Sequence, residues 1–188
     1  MMGGRGSGSR MNSGGGRGSG SNMSGGGRGA SSAISEGGSA RSQYDAAEAD
    51  RARLAAIRPS ERTPEQHQQL TDAINRQTDA AYRMISEMSD SQIQRAADNY
   101  IRDSVERPTS TDTVMRQWIR SISNTKKDGS PTKTALENAK NESWGVINST
   151  KGLGLSTSAY SDMDHSAETE RIGRAIVKSA SKYRNRFG

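Results

Sequence analysis

The chain has 188 residues, 30% of them hydrophobic, no cysteine, and a formal net charge of +6. That length allows one domain with a tail, and the low apolar content predicts a small core rich in Ala and Met, with part of the chain disordered. Disulfides and Cys-based zinc sites are excluded; only His67 and His165 are available for a His-rich metal site, and no apolar run approaches the roughly 20 residues of a membrane span.

No hydrophobic stretch follows the N-terminal basic residues, so no signal peptide is expected and a soluble, cytoplasmic protein is the default. The charge is unevenly placed: +4 over residues 1–41, +6 over residues 171–188, and −4 between them. A mildly acidic body flanked by basic ends points to acidic partners at both termini.

Residues 1–41 hold 15 of the 21 glycines. Arg5-Gly6-Ser7-Gly8-Ser9 recurs as Arg17-Gly18-Ser19-Gly20-Ser21, and more loosely from Arg28. Glycine loses the most backbone entropy on ordering, so this stretch reads as a disordered arm. Arg5, Arg17 and Arg28 could slide along phosphates as in RGG-like arms. No aromatic residue lies there to stack on bases, so a plain linker or assembly tail remains the other reading.

Residues 42–188 read as a helical domain. A first helix opens at Ser42-Gln43-Tyr44-Asp45, carries Ala46, Ala47, Leu54 and Ile57, and ends before Pro59. The second is the longest. Leu70, Ile74, Gln77, Ala81, Met84 and Met88 recur at steps of four and three, widened by Ala73 and Ile85. Thr63, Pro64 and Gln66 supply a cap, a first helical residue and a capping box. This stripe is expected to be the buried surface on which the other helices lie.

Ser89 to Gln92 repeats the capping pattern before Ile93, Ala96, Ala97, Tyr100, Ile101 and Val105, and Pro108 stops that helix. A fourth helix starts near Ser110 or Thr111 and carries Val114, Met115, Trp118, Ile119 and Ile122. Asn124 to Gly129 is a polar turn. Ser130-Pro131 opens a fifth helix with Ala135, Leu136, Ala139, Trp144, Val146 and Ile147. Trp118 and Trp144 are expected in the core. After a Ser- and Gly-rich loop over 149–165, a last helix starts at Ser166, with Ile172, Ile176, Val177, Ala180 and Tyr183 as its apolar face. No stretch alternates like a strand, so the class is all-α: a bundle of five or six helices.

Little of this reads as an enzyme. Gly152-Leu153-Gly154-Leu155-Ser156 is similar to the ATP-lid pentapeptide of histidine kinases. The acidic-glycine box before it and any mixed sheet are missing, so an interhelical loop is expected. Asp164-His165-Ser166 holds a base and a hydroxyl, but neighbours in sequence do not make a triad, and Ser166 is needed as a helix cap. No metal, cofactor or small-molecule substrate is implied. The basic end is the best functional signal. Arg171, Arg174, Lys178, Lys182 and Arg184 share much of one helix side, with Arg186 beyond, and no acid follows Glu170.

Gly26-Gly27-Arg28-Gly29-Ala30-Ser31-Ser32 resembles tracts in small phage and prophage proteins of Gram-positive bacteria. The resemblance implies a mobile-element setting, in the host cytoplasm or a virion. The first expectation is a non-enzymatic interaction protein that binds nucleic acid or an acidic protein surface through its basic ends. The others are self-association in virion assembly, as a scaffold or minor capsid protein, and inhibition of a host defence nuclease.

Overall fold

The computed structural model describes residues 39–107, 111–158 and 163–187. Arg5, Arg17 and Arg28 lie outside the described residues, as does the rest of the expected arm up to Gly38.

The fold is all-α. Six helices form its frame: α1 (Ala40–Ala55), α2 (Pro64–Glu87), α3 (Asp90–Glu106), α4 (Asp112–Ile122), α5 (Lys133–Asn148) and α6 (Ser166–Ser181); a last turn, α7 (Arg184–Phe187), follows. Among the described residues the sole strand-like pairing is an isolated bridge between Thr125 and Pro131.

Local chemistry explains most boundaries. Thr63 and Gln66 form a capping box at the start of α2, as Ser89 and Gln92 do at α3, each satisfying two orphan amide donors. Thr111 and Thr132 cap α4 and α5. Three starts differ from the sequence expectation in position or in cap. α5 is capped by Thr132 and begins at Lys133, not at Ser130-Pro131. α1 begins earlier, because Ser39 accepts the Ser42 amide at 3.2 Å. At α6 the acceptor is Asp164, which receives the Ser166 amide at 2.9 Å and its hydroxyl; Ser166 is therefore the first helical residue and not the cap.

The organising helix is α6, not α2. α2 packs chiefly on α1 and touches α6 only lightly, whereas α6 also packs against α3, α4 and α5. Small residues make this possible. Gly173 of α6 faces α5 so closely that an added Cβ would lie 3.1 Å from Lys140 Cγ and 3.2 Å from its backbone nitrogen. Ile172, Ile176, Val177 and Ala180 are fully buried beside it, with Ala135, Ala139, Val146 and Ile147 of α5 in the same core.

The stripe expected on α2 is buried only in part. Ala73, Gln77, Ala81 and Ile85 are buried, but Leu70, Ile74, Met84 and Met88 are half-exposed. The first half of α2 meets one neighbour, α1, and a single helix cannot cover a full stripe. Trp144 is also a correction: it is 59% exposed, because it points away from the side of α5 that carries Ala139, Ser143, Val146 and Ile147. Trp118 is half-buried and packs against the core.

The Gly152–Ser156 loop has a structural task. Leu153 and Leu155 amides donate to Val146 and Ile147 carbonyls, both at 2.8 Å, closing the end of α5. Gly154 has φ +63°, and an added Cβ at Gly152 would fall 2.0 Å from the Val146 oxygen. Both positions therefore require glycine. The loop then reaches back across the chain: the Ser156 amide donates to the Tyr44 hydroxyl and the Ser158 amide to the Thr78 hydroxyl, both at 2.8 Å.

Candidate functional site

The cations of the basic end fall into two groups. The α6 group is largely neutralised. Arg171 Nε pairs with Asp90 at 2.8 Å, Nη1 donates to the Ile85 carbonyl at 3.0 Å, and Nη2 to that of Met88. It thereby adds charged donors to carbonyls at the C-terminal end of α2, where Ile85 also accepts the Met88 amide, and ties them to the first turn of α3. This guanidinium holds the fold together and is not presented to a ligand. Arg174 pairs with Glu170 at 2.7 Å and Lys182 with Asp98 at 2.9 Å. Burial alone would raise the Asp98 carboxyl, but the hydrogen bond and charge of Lys182 and the hydrogen bond from Gln94 outweigh it and hold the group below the usual range. Lys178 forms no ion pair among the described residues, but it shares a shallow groove with Asp90 and Asp98.

The second group lies where α7 meets α4. Phe187 is buried and anchors α7, with Arg186 Cζ 5.2 Å from its ring centre. Arg184 reaches a cleft of about 330 Å³ that it shares with Arg120, Ile119, Asn124 and Phe187. Among the described residues no carboxylate lines this cleft. Arg116 lies one helical turn before Arg120 and is exposed, as are Lys126 and Lys127 just beyond Asn124. None of Arg116, Arg120, Lys126, Lys127, Arg184 and Arg186 is in an ion pair among the described residues.

Two guanidinium groups on one cleft repel each other, and an anion placed between them relieves that repulsion. The apolar floor of Ile119 and Phe187 lowers the local dielectric and strengthens the effect. The arrangement can therefore bind phosphate or carboxylate groups, with Asn124 as a neutral hydrogen-bonding partner.

The lack of acid after Glu170 singles out Arg184 and Arg186 in the sequence, whereas Arg116, Arg120, Lys126 and Lys127 join them only in the fold. A signal for them exists: residues 113–127 carry four cations and no acid, the same pattern that drew attention to residues 171–188.

The remaining candidates are placed in the fold. His67 is exposed on the first turns of α2. The His165 ring stacks on Tyr82 with centroids 3.7 Å apart and planes 7° apart, and its Nε2 lies 3.6 Å from Asp79. The Ser166 hydroxyl donates to Asp164 instead of facing that imidazole. These three neighbours thus serve the start of α6 and its docking on α2. Among the described residues no group of three or more His, Asp or Glu is placed to hold a metal ion. The chain matches no protein family, no curated protein and no solved structure in the comparisons made.

Proposed function

We propose that this is a non-catalytic helical binding protein whose α4–α7 end takes a polyanion, nucleic acid in the first instance. The observation that carries this reading is the cleft shared by Arg120 and Arg184, which no side-chain carboxylate lines among the described residues. The nearby Arg116, Arg186, Lys126 and Lys127 extend the positive surface, and the arginines of the Gly/Arg tract add to the long-range field. Affinity would come from phosphate contacts with little sequence preference, since no base-reading motif is present.

The test is fluorescence anisotropy with labelled duplex DNA and RNA across a salt series. Wild type should bind at about 50 mM salt, and the double variant Arg120→Gln with Arg184→Gln should bind more weakly and lose about two units of the slope of log affinity against log salt. Arg174→Gln with Lys182→Gln should change the slope less, because Glu170 and Asp98 already pair with those cations. No binding by wild type at low salt would overturn the proposal.

A second reading is self-association during particle assembly, in keeping with the phage-protein resemblance. It is favoured by the exposed side chains of Val114 and Trp144, at 56% and 59%. Sedimentation decides it: hydrophobic association persists at high salt, whereas phosphate binding does not.

A further inference from the structure

A second cleft, of about 290 Å³, opens between α3, α4 and α5 and differs in chemistry from the basic one. Tyr100, Trp118, Met115 and Val114 line it, with the Glu142 carboxylate among them. Trp118 Nε1 donates to Glu142 Oε1 at 3.0 Å, and the Tyr100 hydroxyl donates to Oε2 at 3.3 Å. Tyr100 reaches this position because residue 145 is glycine: an added Cβ there would lie 2.3 Å from the Tyr100 hydroxyl oxygen. Arg107 also lines the cleft, but its guanidinium pairs with Asp103 at 2.6 Å. Glu142 is in no ion pair among the described residues, and it is the one carboxylate among those that line the cleft.

The geometry points to a binding site for an arginine side chain of a peptide. Each oxygen of Glu142 receives one aromatic donor and keeps a further lone pair. One free acceptor position on each oxygen matches the fork of a guanidinium, which binds carboxylates through two parallel N–H···O bonds. Trp118 offers a π face for the same cation. Val114 and Met115 provide apolar surface for the three-carbon stem, and Val114 is 56% exposed, so the mouth is open to a peptide backbone lying across it. The two aromatic donors fix the carboxylate in place before the ligand arrives, which lowers the cost of ordering it. The site is separate from the α4–α7 cleft and does not depend on polyanion binding there.

The test follows the indole N–H resonances of the full chain by NMR during titration with acetyl-Gly-Arg-Gly-amide. Trp144→Phe identifies the Trp118 resonance. That resonance should move saturably, with a dissociation constant near or below about 1 mM. The citrulline peptide, which keeps the shape and lacks the charge, should bind at least about tenfold more weakly. Glu142→Gln should weaken binding of the arginine peptide by a similar factor. Val114→Lys, at an exposed position where folding tolerates the change, should abolish it by placing a cation at the mouth. No saturable movement up to about 10 mM peptide, equal binding of the citrulline peptide, or undiminished binding by folded Val114→Lys would each overturn the assignment.

Discussion

The outer part of the α1–α2 hairpin and the body formed by α3 to α6 are both helical, yet they are held differently. In the body, Ile93, Ile101, Ile119, Ile122, Ile147, Ile172 and Ile176 are all at most 1% exposed. In the hairpin, the fully buried hydrophobic residues away from the main core are Ala47, Leu54 and Ala73. Polar contacts do more there: Arg76 pairs with Asp50 at 3.1 Å, Arg83 bonds Gln43 at 2.8 Å, and Arg62 caps the end of α1 at the Leu54 and Ala55 carbonyls, both at 3.1 Å. Burying isoleucine removes far more apolar surface from water than burying alanine. Partly exposed ion pairs and caps contribute about 1 kcal/mol or less each. The body should therefore carry most of the stability, and the hairpin should open first.

The sharpest test of that difference is Ile176→Ala, which should cost about 2–5 kcal/mol in denaturant unfolding. A cost under about 1 kcal/mol would mean that α6 is not the hub. Next is Arg171→Gln, which removes the cap on α2 and the pair with Asp90; we expect a loss of about 1.5–3 kcal/mol, since charged hydrogen bonds to the Ile85 and Met88 carbonyls are lost with that pair. Leu70→Ala, on the half-exposed stripe of α2, should cost about 1 kcal/mol or less. Native-state hydrogen exchange should show the first half of α2 exchanging faster than α6, and equal protection would erase the distinction between the two regions.

The smallest expected effect lies at alkaline pH. Burial, and then the Glu142 charge, push the Tyr100 phenol from 10.0 up to about 12. A raised folded-state value means that the folded protein keeps a proton that the unfolded chain gives up. Stability from this group is thus complete below about pH 10 and is lost as pH rises towards about 12. Tyr100→Phe should show a shallower loss over that window than wild type, measured by urea midpoints at each pH.

The helices were legible because their signals are local. The Thr63–Gln66 and Ser89–Gln92 boxes lie within four residues of sequence, and helix geometry alone makes them meet. Burial was less legible, because it depends on which partner a face finds. Leu70 and Ile74 have good periodicity but only α1 to cover them, and Trp144 sits on a helical period but beyond the core-facing side of α5. The candidate site divides the same way. The acid-free runs around Arg120 and Arg184 are visible in the sequence, whereas their meeting at one cleft follows from the docking of Phe187. Arg171 could be seen as a cation; its role as a cap depends on carbonyls more than 80 residues away.

The two bonds from the Gly152–Ser158 loop to the hairpin also bear on the order in which the molecule assembles. Tyr44 precedes its partner Ser156 by 112 residues, and Thr78 precedes Ser158 by 80. Such contacts close very long loops, and their entropy must be met before they return any stabilisation. α1 and α2 can pair as soon as both have been synthesised, but their anchoring to the loop must await nearly the whole chain. The hairpin should therefore be a late-docking unit. In refolding kinetics, removing the Tyr44 hydroxyl should speed unfolding and leave the folding rate almost unchanged.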